Sequence, residues 1–374
     1  MGIEIREVST KRDLWQFIHL PTDIHKGHRN WVPPVYADEW KYFNPKENRL
    51  FLTSDTKLLL ATENGKPAGR IMGIINRKYN EAHGEPDGRF CFLETYDNTE
   101  VAAALIGRAE SWARQKGMKR IVGPLGFSDK DPQGLLIEGF DEPMVIATHC
   151  NYPYMVRLVE EQGYSKKVDL VVYKIKIPEN IPEFYRRIYQ RSIINNKELR
   201  LASIKSRSEI KPYVRPVLTL MNETYQDIYA FTPLDFKEMD EFAKRYLMIL
   251  EPCFLKILED GNGNVIAFIL AIRDITEGIR RSRGYLFPFG IFQILISQKK
   301  SRRLSLLLGA IRKDYRNNGL DTILGISLLE DAQKYGLGVI DSHLILETNV
   351  KMRAEIEKMG GVIYKKYRIY QKPL

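Results

Sequence analysis

The chain has 374 residues, 44% of them apolar and 28% charged, a length that suits two domains with a core each. Its three cysteines, Cys91, Cys150 and Cys253, are odd in number and scattered, which excludes a disulfide framework and a cysteine-built metal site. No apolar run reaches the ~18 residues of a spanning helix, and the start MGIEIREVST lacks a signal-peptide layout, so a cytoplasmic chain is expected. The net charge of +10 points to an anionic partner. That charge is concentrated: between Glu277 and Asp314 there are nine basic residues and no acidic one.

In chain order, residues 57–77 (KLLLATENGKPAGRIMGIINR) predict a hairpin, two apolar runs joined by Asn64-Gly65. The apolar strand FCFL (90–93) follows, then the acidic segment ending in Glu94, Asp97 and Glu100. A helix is predicted over 101–117, an extra segment over 120–150, and a helix end, glycine stop and strand over 158–175. Pro178 and Pro182 punctuate the chain and set the expected domains at 1–178 and 179–374. The order then restarts. Residues 253–273 (CFLKILEDGNGNVIAFILAIR) repeat the hairpin at a displacement of 196. Residues 320–336 repeat the helix at 219, and 355–372 repeat the helix end and strand at 197. The changing displacement marks an insertion of about 20 residues, around 274–303, in the second half. Each half reads strand, turn, strand, strand, helix, strand, helix, strand, an α/β sandwich around a mixed sheet.

The strand at 304–311 leads into RKDYRNNGLD and an apolar helix. A turn of Arg, Asn and Gly at a helix start is an anion site, because free N–H groups and the helix dipole face the ligand. Gly319 allows close backbone approach, and Arg316 adds a forked cation. Tyr315, Arg316, Asn317, Asn318, Gly319 and Leu320, following Ala310 and Ile311 of the strand, resemble the Gln/Arg-x-x-Gly-x-Gly/Ala motif of the GNAT superfamily. The resemblance implies two tandem GNAT-like domains, each a mostly antiparallel sheet flanked by helices. It implies coenzyme A pyrophosphate on this turn, with Asn349 near the pantetheine arm and no metal. Asp321 departs from the motif, since a carboxylate there competes for the same N–H groups. The equivalent first-half segment, FLETYDNTE, has three carboxylates and no glycine and cannot cradle a pyrophosphate.

WVPP (31–34), residues 65–85, GLLIEGFDEP (134–143) and the C-terminal MGGVIYKKYRIYQKPL resemble bacterial tandem GNAT-like N-acyltransferases, to which bacterial ceramide synthases look similar. That implies an acyl-CoA donor and an amine acceptor, with nucleic acid not expected as a partner. N-acylation needs a base for the amine and an acid for the leaving thiolate. Glu94 and Asp97 at a strand end, or Glu347 after HLIL, fit the base; their alternative is a solvated strand-end or cap carboxylate. Tyr367, with Tyr364 and Tyr370, fits the acid, against half-buried strand residues. His149 and His83 are weaker candidates. The insertion segment GYLFPFGIFQILIS (284–297), flanked by RRSR and QKKSRR, fits either a helix lying in an anionic membrane surface or an ordinary core helix. Two other readings stay open: a Fem-like transferase taking its acyl group from aminoacyl-tRNA, and a non-catalytic acyl-CoA or lipid-binding module.

Overall fold

The hairpin turn sets the first landmark. Asn64 and Gly65 both take positive φ, as a two-residue hairpin with the right-handed strand twist requires. They join β2 (Ser54–Glu63) to β3 (Lys66–Asn76) in a computed structural model that describes residues 2–146 and 148–374. Before the hairpin come β1 (Ile3–Glu7), α1 (Lys11–Ile24) and α2 (Tyr36–Tyr42). The first of these helices is started by a Thr10–Asp13 capping box. After the hairpin come α3 (Arg77–His83), β4 (Asp87–Thr95), α4 (Thr99–Gln115), β5 (Arg120–Gly123), β6 (Leu135–Glu138), α5 (Tyr154–Glu160) and β7 (Ser165–Lys176).

The second half opens with α6 (Glu183–Asn195), β8 (Arg200–Leu201), α7 (Arg207–Ile210), α8 (Val214–Thr224) and α9 (Phe236–Tyr246). Its hairpin is β9 (Leu255–Glu259) and β10 (Val265–Arg273). Here the loop is longer, and the Asp260 carboxylate folds it by accepting from the Asn262 and Asn264 amides. Then follow α10 (Thr276–Arg281), α11 (Gly290–Lys300), β11 (Arg303–Ile311), α12 (Leu320–Lys334), β12 (Val339–Asp341), β13 (Ile345–Leu346), α13 (Val350–Lys358) and β14 (Val362–Pro373). The repeated elements predicted from sequence thus occupy equivalent places: β2–β3 with β9–β10, α4 with α12, β7 with β14.

All strands join one sheet, ordered β1-β2-β3-β4-β5-β14-β7-β12-β11-β10-β9-β8, with β6 on β14 and β13 on β7. Among the described residues, parallel pairing is confined to β4–β5 and β11–β12. The centre of the order holds a feature the repeat does not reveal. The final strand of each half lies against the other half: β14 pairs with β5, and β7 pairs with β12. β7 and β14 then pair with each other over most of their length. Apolar side chains from both halves close the seam, among them Val122, Leu136, Val172, Ala230, Tyr367 and Ile369.

The insertion forms α10 and α11, which pack together and lean on the first half. The Tyr36 amide donates to Gly284 O at 3.0 Å, and a Cβ at Gly284 would meet Pro34 O at 2.2 Å, so only glycine fits that contact.

Candidate active site between two strand openings

Each half carries a parallel strand pair that parts after three residues. Each is pinned near its base by a two-bond Arg–Asp pair of opposite polarity. Arg120 of β5 holds Asp87 of β4 (2.9 and 2.6 Å), whereas Arg303 of β11 holds Asp341 of β12 (2.6 and 2.8 Å). Beyond these pairs the halves differ. The first opening is sealed by its own chain: the Leu125 amide donates to Phe90 O at 2.8 Å, and the Tyr154 hydroxyl donates to Thr95 O at 2.8 Å.

The second opening is less filled. The outer edge of β11 is exposed at Gly309, whose carbonyl and amide are met by one hydroxyl, that of Tyr225, at 2.9 and 3.2 Å. A cavity of about 450 Å³ lies between Tyr229, Leu346 and Thr348, and one of about 340 Å³ between Thr224, Arg312 and Lys313. Gln226, the residue after Tyr225, lines both.

The far end of β11 leads through a short turn into α12. Ala310 is buried, Ile311 half-buried, and Ile311 O accepts from Arg316 Nε at 3.2 Å. Asn317 and Gly319 both take positive φ, and Gly319 opens the 15-residue α12 with no side-chain cap hydrogen bond among the described residues. Lys313, Arg316, Asn317 and Asn318 are exposed, and Tyr315 stacks on Arg312. Leu320 turns inward to the core. From behind, α6 supports the turn, its Ser192 touching Gly319 and Asn196 Nδ2 donating to Asn318 O at 3.1 Å. The Asp321 carboxylate is exposed and, among the described residues, bonds none of these amides. Asn349 serves as the N-cap of α13, accepting from the Met352 amide.

The predicted catalytic residues are dispersed. Asp97 is exposed and paired with Arg157. Glu347 follows a strand of only two residues, and its carboxylate is taken by Lys166 Nζ at 2.8 Å and the Asp169 amide at 3.0 Å. Tyr367 is fully buried, its hydroxyl on Thr148 Oγ1 at 3.2 Å; burial raises the phenol well above its ordinary value, which makes it a poor acid. Tyr364 and Tyr370 are likewise engaged, with Asp341 and Glu160. His83 stacks on Tyr79 at a helix end.

Glu94 is different. Instead of capping α4 in solvent, a task Asn98 performs, it points inward to a polar centre that the sequence reading missed. Its Oε2 lies 3.1 Å from His25 Nε2; His25 Nδ1 lies 2.9 Å from His28 Nδ1; His28 Nε2 lies 4.0 Å from Cys150 Sγ. Trp31 and Tyr152 stack on the His25 ring at 5.0 and 5.2 Å, so WVPP and NYPY are the walls of this chain of contacts. Burial alone would push the Glu94 carboxyl up, but His25 by charge and hydrogen bond, and then Arg70, hold it below its ordinary value. Burial, reinforced by His25, pushes His28 down to about 4, and burial, with a smaller push from Arg70 and against the pull of Glu94, takes His149 to about 4. The Cys150 thiol is pushed up to about 11 by burial, against the pull of Lys365 and Arg280.

Those two cations tie the centre to the rest of the molecule. Arg280 belongs to the insertion, and Lys365 to β14. Lys365 is buried and donates to Gly139 O and Glu142 O at 3.0 Å, and burial lowers it to about 8. It also feels Arg303 and Asp341, the pair at the base of the second opening. The signal for the centre was present as His25-x-x-His28 just before WVPP, but a histidine pair without a third ligand gives no motif to read.

No family model matches the chain. A tandem GNAT protein from the clavulanic acid biosynthesis pathway superposes over 100% of this chain and 98% of its own, with a TM-score of 0.55 at 12% identity. This chain has the tandem GNAT fold. A GCN5-related N-acetyltransferase from Sphaerobacter thermophilus also superposes, over 99% and 95% of the two chains, at a TM-score of 0.54 and 10% identity. Two curated relatives align over nearly the full length. A protein named bacterial ceramide synthase, from Caulobacter vibrioides, is 28% identical, covering 100% of this chain and 98% of that one. Protein YghO of Escherichia coli is 25% identical, covering 99% and 95%.

Proposed function

We propose that the protein is an N-acyltransferase that takes its acyl group from acyl-CoA, held in the second half, and passes it to an amine. The observation that carries this reading is the start of α12. There an uncapped helix N-terminus, a left-handed glycine and exposed Lys313 and Arg316 stand at the open end of the parted β11 and β12. Gly319, Asn318 and Asn317 would hold the pyrophosphate, and the two cavities that share Gln226 would take the amide-bearing arm, with Tyr225 swinging off Gly309 to free that stretch of strand edge. Placing the donor here leaves the first half, whose opening is sealed, for the acceptor side.

The ceramide synthase likeness and the surface of the insertion favour a lipid amine, such as a sphingoid base, as acceptor. The insertion does not serve as an ordinary core helix. Tyr285, Phe287, Phe289, Phe292 and Ile296 are all exposed, beside exposed Arg283, Lys299 and Lys300. Such a face suits a peripheral position on the cytoplasmic, anionic leaflet.

Calorimetry with CoA tests the donor site. Arg316→Glu removes a charge-assisted contact and adds repulsion, so CoA binding falls roughly 10- to 100-fold, while a pantetheine fragment lacking phosphate binds both proteins alike. Equal CoA affinity in the two proteins ends this reading.

A further inference from the structure

We infer that His83 is the base that takes the proton from the attacking amine. The inference rests on the N-acyl transfer proposed above and names a catalytic residue for it. It follows from where the larger cavity lies and from which of its side chains has a lone pair to offer.

The cavity of about 450 Å³ draws its walls from both halves. The second half supplies Leu346 of β13 and Thr348, and the first half supplies Tyr79 and His83 of α3. Gln226 also lines the smaller cavity beside Arg312 and Lys313. A donor laid from the turn at Gly319 through the smaller cavity therefore brings its thioester end into the space that His83 lines.

His83 is held there in a defined state. Its Nδ1 lies 2.9 Å from Tyr79 O. A backbone carbonyl only accepts, so Nδ1 carries a hydrogen whatever the charge of the ring. In the neutral ring the lone pair is then on Nε2, and among the described residues no protein group bonds that atom. The imidazole lies on the Tyr79 ring at 4.0 Å and 18°. Tyr79 is fixed in turn: it is buried, its hydroxyl accepts from the Ala230 amide at 3.3 Å, and the Arg89 guanidinium stands 4.5 Å from its ring. Two contacts thus orient His83 while its side chain stays exposed.

The other ionisable groups of the cavity do not offer a base. The Lys167 ammonium has donors only, and stands 5.6 Å from the Tyr229 ring. Asp227 is exposed, with its carboxylate 3.9 Å from Lys313 Nζ. Burial raises the Tyr79 and Tyr229 phenols above their ordinary value, so both keep their protons. His83 Nε2 is the acceptor that remains.

The step balances without a further reagent. The acceptor binds as the free amine, its ammonium proton having passed to solvent. The amine nitrogen bonds to the thioester carbonyl carbon, the π pair moves to oxygen, and the N–H proton passes to His83 Nε2. The C–S bond then breaks with its electron pair on sulfur, and His83 returns the proton to the thiolate. Amide and free CoA result, and His83 is neutral again. Lys167 is the cation in the same cavity that the developing oxyanion can meet.

A two-bond proton–nitrogen spectrum of histidine-labelled wild-type protein at the assay pH reads the tautomer, and His83→Gln identifies its signal among the six histidines. His83 should be neutral, with hydrogen on Nδ1 and none on Nε2. A proton on Nε2, in a neutral or a charged ring, overturns the inference. Kinetics with a long-chain acyl-CoA and a sphingoid base supply the second arm. His83→Ala should bind CoA as wild type does and lower kcat about 10²- to 10⁴-fold with KM for acyl-CoA unchanged. Imidazole added to the assay should return part of that rate, because the side chain it replaces is exposed. A His83→Ala protein with wild-type kcat overturns the role. So does a loss that imidazole leaves untouched, since a structural side chain behaves that way. A wild-type chain that binds no CoA overturns the acyl-CoA reading, and this role with it.

Discussion

The exposed aromatic face of the insertion gives a prediction whose size follows from the structure. Phe287, Phe289 and Phe292 are 81%, 70% and 61% exposed. A phenylalanine buries ~200 Å² when covered, so the three present roughly 400 Å² of apolar surface to solvent. At ~25 cal/mol per Å² full immersion yields about 10 kcal/mol, and half immersion about 5. Phe287→Ser alone should then cost ~2 kcal/mol, some 30-fold in partitioning. The charges contribute unequally. Arg280 and Arg281 are both paired with Glu277, whereas Arg283, Lys299 and Lys300 have no ion pair among the described residues. Near an anionic leaflet each of the latter adds ~1 kcal/mol, screened within a Debye length. Flotation with anionic vesicles should therefore show binding at low salt, weakened by high salt and by Lys299→Gln with Lys300→Gln. The triple Phe→Ser protein should stay unbound under all conditions. Wild-type protein that fails to float at low salt, or a triple variant that floats like wild type, refutes the reasoning.

Acid should destabilise the fold through its buried neutral histidines. Burial holds His149 and His343 each near 4, against about 6.5 when unfolded, so the unfolded chain binds more protons between those values. Stability is then complete above pH 6.5 and declines as pH falls toward 4, by up to ~3 kcal/mol per histidine; a urea midpoint that stays flat from pH 7 to 4.5 contradicts this. Gly319→Ala places a Cβ 2.1 Å from Ser192 Oγ at φ +75°, which should cost at least ~1–2 kcal/mol and lower the melting temperature. Pairing it with Ser192→Gly should recover part of that loss, and no recovery would mean the contact with α6 is not the cause.

Much of the fold was legible because duplication writes the same local pattern twice. The hairpins, the α4 and α12 pair and the β7 and β14 pair each follow from apolar alternation, glycine stops and turn residues. The partner of each terminal strand was not legible. β7 and β14 carry similar patterns, and nothing local says which of β5 and β12 each will meet. The turn into α12 could be read as a helix start because a left-handed glycine stands between a strand and an apolar helix; that it holds an anion is the proposal above. The polar centre could not, since His25, Glu94 and Cys150 come from three distant segments, and Glu94 looked like a cap until Asn98 was seen in that place. The insertion was ambiguous for a physical reason: apolar composition does not say whether its face finds a partner in the same chain.

The exchange of β7 and β14 has a consequence for how the molecule is made. The strand that closes the first half is residues 362–373, made after every other strand of the sheet. The first half emerges with an unpaired edge on β5 and must wait until the strands of the second half have been made before that edge is covered. A product stopped short of residue 362 lacks the completing strand of the half made first, so early termination should leave neither half finished.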